Sequence, residues 1–256
     1  MSSEITLNVN GQVAIITLNR PEKLNAMTRA MTALLKGFVT QCNADDEIRV
    51  VILTAEGERA FCAGSDIVDL DNYATPWEWR THTGYCEAIR SLKKPTVAAI
   101  NGWTLGGGLE MSLGCDIRIA SESAKFGAPE IKLGWIGGGG MSVLLAEAIG
   151  SSNAAMMLIT GDPIDAHTAL NWGLVSEILP ADRLRPRAIE LAEAIASRAP
   201  IAAECAKSNL KAAFSMSRED AINYERDLQV ICLATEDADE GRLAFKEKRS
   251  ANFKKR

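Results

Sequence analysis

The stretch that most narrows what this chain can fold into is residues 94–120, KPTVAAINGWTLGGGLEMSLGCDIRIA. It opens on Pro95 and a β-type apolar run at 96–100, then breaks at Asn101-Gly102. Gly106, Gly107 and Gly108 lead into a segment that reads as helix over 107–114, and a short strand follows at 116–120. Glycines between a strand and a helix let backbone approach a ligand, and a helix N-terminus offers free N–H groups to negative charge. Three residues after Gly107 comes Glu110, a carboxylate in a window otherwise almost empty of charge.

The flanking sequence repeats the alternation of strand and helix. Residues 4–19 read as a hairpin turning at Asn10-Gly11, a strong short-range turn signal. A polar loop at 19–27 precedes a helix over 28–43, where Met31, Leu34, Leu35, Phe38 and Val39 keep helical spacing. A buried strand is expected at 49–54, a loop at 55–67, and an amphipathic helical stretch at 68–92. That stretch carries Tyr73, Trp77, Trp79 and Tyr85 as core or pocket wall. After the central unit come a loop ending in four glycines at 137–140, helices at 141–149, 152–160 and 165–172, and a strand at 174–179. From 181 onward only helical patterns remain, at 181–199, 201–213, 217–235 and a basic one at 240–253. The pattern is an α/β body with a helical C-terminal part.

Composition removes several classes. The net charge of −5 argues against nucleic acid as the main partner, although the tail FKEKRSANFKKR is locally basic. No apolar run reaches the ~18 residues of a membrane-spanning helix, and the N-terminal MSSEITLNV has no features of a signal or transit peptide. A cytoplasmic location with no membrane partner is expected. Six dispersed cysteines without a C-x-x-C pair fit reduced, buried thiols, and the two histidines, His82 and His167, lack ligand-spaced partners, so no metal site is expected.

GGGLEM at 106–111 has Met111 where a dinucleotide fingerprint needs its third glycine, and no Lys-Ser/Thr follows 137–140 to make a phosphate loop. The glycines serve either tight turns and close packing or approach to a ligand. Two carboxylates favour the second use. Glu110 stands among Leu, Met, Ser and Gly, and Glu130 follows Phe126-Gly127-Ala128-Pro129. A buried carboxylate is costly unless neutralised, paired or used; Lys125 or Lys132 could pair with Glu130, whereas acid–base work would need both acids. The loop Ala60-Phe61-Cys62-Ala63-Gly64-Ser65-Asp66 is either an ordinary turn or the source of a backbone donor near Ala63. With Gly107, such a donor would complete an oxyanion hole. Ser65 as a nucleophile lacks the G-x-S-x-G elbow.

Six segments in order, LNRPEKLNAM (18–27), AFCAGSDI (60–67), 94–120, KFGAPEIKLG (125–134), TGDPIDAHTALNWGLVSEIL (160–179) and FKEKRSANFK (245–254), closely resemble the crotonase (enoyl-CoA hydratase/isomerase) superfamily. The resemblance implies a spiral of ββα turns over 1–195 carrying an acyl-CoA site. It also implies a helical oligomerisation region over 196–256 that builds a trimer, or a hexamer as a dimer of trimers. It places the oxyanion donors on Ala63 and Gly107 and the catalytic pair on Glu110 and Glu130. CoA contacts fall on Lys23, Leu24, Ala63, Gly64, Ser65 and Asp66, with Phe245 and Lys248 lent by a neighbouring subunit. The implied reaction is addition of water across the 2,3 double bond of an enoyl-CoA thioester, with no cofactor beyond the CoA of the substrate. Isomerisation, hydration of a specialised acyl group, an RNA-binding role and a catalytically silent CoA-binding subunit are the other readings. The chain departs from the family at WIGGGGMSVLL (135–145), where Gly137 replaces a common Pro and Leu144 a common Arg.

Overall fold

The computed structural model describes residues 3–70, 74–82 and 84–256; Tyr73, expected on the helical stretch 68–92, lies outside them. The chain starts with the antiparallel hairpin β1 (Ile5–Asn10) and β2 (Val13–Leu18). Asn10 pairs with Val13, so the turn residues are Gly11, at φ 57°, and Gln12, one position later than the Asn-Gly pair suggests. A 3-10 turn, Pro21–Lys23, leads to α1 (Arg29–Ala44), capped by the Thr28 hydroxyl, which accepts from the Met31 N–H at 3.1 Å. Then follow β3 (Val50–Ala55), β4 (Ala60–Cys62), and the short helices α2 (Ile67–Leu70), α3 (Pro76–Thr81) and α4 (Tyr85–Arg90). The central unit is β5 (Thr96–Ile100), β6 (Trp103–Leu105), α5 (Gly107–Leu113) and β7 (Ile117–Ser121).

Beyond β7 lie β8 (Lys125–Gly127), a 3-10 turn (Pro129–Leu133), α6 (Met141–Ile149) and α7 (Ser151–Thr160). Next come β9 (Ile164–Asp165), α8 (Ala166–Trp172) and β10 (Glu177–Leu179). The helices α9 (Ala181–Ala196), α10 (Pro200–Ala212), α11 (Arg218–Leu233) and α12 (Glu236–Glu247) complete the order. The strand expected from 174 begins only at Glu177. The last helix stops at Glu247 rather than 253, because Lys248 turns left-handed at φ 55°. The tail beyond it is pinned by Asp237, which accepts the N–H of Lys254 at 2.6 Å and of Lys255 at 2.9 Å.

The strands form two sheets. Six are ordered β1-β2-β3-β5-β7-β10, parallel except for the β1–β2 hairpin. Strands β2, β3 and β5 are apolar along both faces because each face is covered. Ala14, Ile16, Val51, Leu53, Ala98 and Ile100 enter the main core. The alternate residues Val13, Ile15, Val50, Ile52, Val97 and Ala99 meet α9 through Leu184, Ala188, Ala192 and Ala196. Those four helix residues are spaced every fourth position, so one narrow stripe of a leucine and three alanines lies close on the sheet.

The second sheet, ordered β4-β6-β8-β9, was expected as loop and turn. Its strands are two or three residues long, too short for alternation to show. Strands β4, β6 and β8 are parallel neighbours, so their C-terminal ends open side by side. Residues 63–66, 106–110 and 128–130 leave from those three ends. No helix among the described residues is long and apolar enough to cross a membrane.

Candidate active site

Three glycine contacts hold the segments leaving β4, β6 and β8 together. Gly108 packs on the Cys62 carbonyl; a Cβ there would lie 2.2 Å from that oxygen. Gly64, at φ 97°, lies against Gly107; a Cβ on it would be 3.2 Å from the Gly107 nitrogen. Gly107 in turn receives the Tyr85 hydroxyl, which would meet a Cβ at 1.8 Å. Backbones approach here as only glycine allows.

Gly107 is the first residue of α5, so its N–H has no partner within the helix. The second donor expected from the neighbouring loop is not at Ala63. The Ala63 N–H donates to the Leu24 carbonyl at 3.0 Å, because Leu24 adopts a left-handed conformation at φ 53° and faces the loop. Two residues on, Met27 bridges Ser65 in parallel register: its N–H donates to Gly64, and its carbonyl accepts from Asp66. A parallel bridge of this kind uses the flanking residues and turns the Ser65 N–H away. Among the described residues the Ser65 N–H has no acceptor. The free donor on this loop therefore belongs to Ser65, two residues after the expected position. The Ser65 hydroxyl shares a 2.9 Å hydrogen bond with the Tyr85 hydroxyl.

Glu110 lies one turn into α5 and is 5% exposed. Its Oε1 accepts from the Gly139 N–H at 2.7 Å and the Met141 N–H at 3.2 Å, and the Cys86 thiol lies 3.7 Å from Oε2. Burial raises its pKa above the ordinary 4.5 despite these donors. The glycine run 137–140 is the loop that wraps this carboxylate: a Cβ on Gly137 or Gly139 would lie 2.8 or 2.6 Å from a Glu110 oxygen.

Glu130 sits in the 3-10 turn after β8. Its Oε1 lies 2.8 Å from where a Cβ on Gly106 would be, and its Oε2 is buried without a hydrogen-bond partner. Neither candidate lysine reaches it: Lys132 pairs with Asp162 at 2.6 Å, and Lys125 lies over the Trp103 ring. Burial first, then the neighbouring charge of Glu110, raises its pKa. Two carboxylates close enough for one charge to act on the other thus stand in unlike settings. Glu110 has backbone donors that favour its charged form, while Glu130 has an unpartnered oxygen that favours a proton.

The other expected residues divide by position. Leu24 meets the 63–66 loop through its carbonyl, and the charge of Lys23 reaches Asp66. Asp66 is engaged by Arg20 at 2.7 Å, which lowers its pKa and ties the first loop to this one. Asn25 was not anticipated from sequence; fully buried and left-handed, it donates to the Glu56 carbonyl at 3.1 Å and the Ala60 carbonyl at 2.8 Å. A groove of about 440 Å³ runs outside the second sheet, lined by Leu24, Glu58, Arg59, Trp103, Leu105 and Ser123. Phe245, 86% exposed, and Lys248 lie at the end of α12, with no hydrogen bond to the site residues among the described ones. No group of three or more His, Cys, Asp or Glu among the described residues is arranged to hold a metal ion.

Known proteins resemble this chain along its length. The sequence profile described as Enoyl-CoA hydratase/isomerase matches residues 8–256. A mitochondrial enoyl-CoA hydratase of Pongo abelii is 39% identical over 246 residues, 96% of this chain and 84% of that protein. The (E)-benzylidenesuccinyl-CoA hydratase of Thauera aromatica is 38% identical over 255 residues, 98% of each chain. The crystal structure of an enoyl-CoA hydratase from Bacillus anthracis superposes with a TM-score of 0.92 at 37% identity, covering 99% of this chain and 100% of that one.

Proposed function

The chain belongs to the enoyl-CoA hydratase/isomerase family, the crotonase superfamily, and is an enoyl-CoA hydratase-like hydro-lyase; on that premise we propose that Glu110 and Glu130 add water across the 2,3 double bond of an enoyl-CoA. The observation that carries the reading is the pair of unlike buried carboxyls beside two free backbone donors.

In this mechanism the thioester oxygen accepts hydrogen bonds from the N–H groups of Ser65 and Gly107. Both stabilise the negative charge that develops on that oxygen as an enolate forms, and α5 adds its positive end. The Glu110 carboxylate takes a proton from water as the water oxygen bonds to C3. Protonated Glu130 delivers a proton to C2 as the enolate collapses. One proton is gained by Glu110 and one lost by Glu130, so a proton returned through water resets the pair. The donor Gly107 and the base Glu110 share one rigid helix, about 4.5 Å apart along its axis at ~1.5 Å per residue.

Lys23, Leu24 and residues 63–66 border the path of the CoA moiety, and Arg59 on the groove offers its phosphates a cation. Phe245 and Lys248 are held out for the adenine end of a neighbouring subunit's substrate. Leu210, Phe214, Val230, Ile231 and Leu233 are exposed apolar residues on or beside α10 and α11, which a trimer or a dimer of trimers would bury between copies. A cytoplasmic enzyme without a separate cofactor fits the reading.

Loss of the conjugated-thioester absorbance across a panel of enoyl-CoA substrates, a benzylidenesuccinyl thioester among them, tests the reaction and ranks acyl groups. Full activity of Glu110→Gln beside a dead Glu130→Gln would replace hydration with isomerisation.

A further inference from the structure

The loop that holds Glu110 has little to hold it in turn. Residues 137–140 are four consecutive glycines at the surface, and Gly138 has nothing within 4 Å of where a Cβ would be. Glycine loses more conformational freedom on ordering than any other residue, so this run needs an outside anchor to keep two N–H groups on one carboxylate.

That anchor is on α4. Arg90 donates through Nη1 to the Gly139 carbonyl, while the Gly139 N–H donates to Glu110 at 2.7 Å. Gly139 is thereby gripped on both its polar groups. The other guanidinium nitrogen, Nη2, pairs with Glu87 at 3.4 Å, and Glu87 accepts the Gly84 N–H at the start of α4 at 2.9 Å. Cys86, also on α4, would touch a Cβ on Gly139 at 2.8 Å through Sγ. Arg90 and Cys86 thus give two contacts from one helix to the loop, and Glu87 braces the arginine. Between Arg118 and Arg183 the sequence has no arginine, so no other guanidinium comes from the loop's own neighbourhood.

We propose that Arg90 is a positioning residue for the hydration step: its forked side chain closes the glycine loop on Glu110, so that the Gly139 and Met141 N–H groups hold the carboxylate in place. The inference rests on the catalytic reading of Glu110. Because the ion pair with Glu87 is partly exposed, with side-chain exposures of 31% and 40%, its contribution is orientation of the fork more than stability. A lysine cannot span both partners as this fork does.

The charged and titratable groups around Glu110 are Tyr85, Cys86 and Arg90 on α4, with Glu87 paired to Arg90, and Glu130 on the turn after β8. Met141, Leu144 and Leu145 bring no charge from α6. Arg90 is therefore the cation in this set. Its removal weakens the two N–H contacts and withdraws a favourable charge, and both changes make Glu110 harder to ionise.

Arg90→Met and Arg90→Lys test this with two readouts. In steady-state hydration, Arg90→Met lowers kcat about 10-fold or more, as expected when a hydrogen bond of ~1.5 kcal/mol is lost. KM changes little, and the acid limb of the pH profile moves to higher pH. Arg90→Lys keeps the limb near its original position but still loses kcat. Independently of turnover, infrared difference spectra against Glu110→Gln titrate the Glu110 carboxyl directly, and Arg90→Met raises its midpoint. In Arg90→Met, a kcat loss with an unmoved midpoint and limb would make Arg90 merely structural and overturn the inference, as would a wild-type kcat in Arg90→Lys. If Arg90→Met does not fold, Arg90→Gln, which also removes the charge, takes its place with the same two readouts and the same overturning result. Should the wild-type protein hydrate no enoyl-CoA while the infrared midpoint still rises, the function fails and the positioning role stands.

Discussion

Replacing Glu110 with Gln removes one charge and leaves the shape of the site in place. The Gln oxygen can occupy the Oε1 position and keep accepting from Gly139 and Met141, at 2.7 and 3.2 Å in the parent. The amide nitrogen then faces the Cys86 sulfur, whose thiol can still reach the Gly107 carbonyl at 3.6 Å. Two hydrogen bonds to a charged acceptor become neutral ones, a loss of ~1–1.5 kcal/mol each. Removing a buried charge offsets this by several kcal/mol, so the fold survives. Chemistry does not: a positioned base contributes ~100- to 10,000-fold, or ~2.7–5.4 kcal/mol at 1.36 per decade. Hydration followed by thioester absorbance should fall by that factor, with the melting transition retained.

Stability has its own pH signature. Burial raises the Glu110 pKa above 4.5, so the folded state binds a proton more readily than the unfolded chain. The stability this supplies is full below the ordinary carboxylate value and is lost as pH rises through the folded pKa. Glu110→Gln has no such loss, so its stability relative to wild type should grow from acid to neutral pH. Activity within about 10-fold of wild type would refute the base assignment. A stability difference independent of pH would refute the buried-charge argument.

Gly107→Ala would set a Cβ 1.8 Å from the Tyr85 hydroxyl and 2.8 Å from its ring carbon Cζ. Displacing α5 should cut kcat ~100-fold or more, as for loss of an oxyanion donor, and Tyr85→Phe should not rescue it because the ring remains. An unchanged kcat would show that the N-terminus of α5 is not where charge develops. Lys207→Met leaves Asp116 and the Lys94 carbonyl without a buried amine that now serves both, at 2.8 and 2.9 Å. A loss of ~3–5 kcal/mol by urea denaturation is expected, whereas a wild-type midpoint would mean water replaces the amine. Because Glu110 and Glu130 are both raised, the acid limb of kcat/KM should lie above 4.5; a limb at or below that value would mean neither group is buried in the free enzyme.

Much of this molecule is legible in local sequence. The β1–β2 pair, α1, and the strand–glycine–helix unit at 94–120 announce themselves through alternation, helical spacing and glycine placement. Glu110 and Glu130 stand out because carboxylates among apolar residues need an explanation. The second sheet does not announce itself. Strands of two or three residues exist because neighbouring backbones are there to pair with, and pairing partners are not written next to them.

The same limit explains why the free N–H lies on Ser65 and not on Ala63. Nothing in AFCAGSD distinguishes the N–H of Ala63 from that of Ser65; the left-handed Leu24 and the bridge from Met27 do. Arg90 gives no local signal either, since the carbonyl it holds lies 49 residues away. The sequence alone determined which residue types could do the chemistry and that glycines would let backbone reach them. Only the tertiary structure decided which N–H is free, which acid has partners and what closes the glycine loop, because a polar group's availability depends on whatever else the fold brings within hydrogen-bond distance.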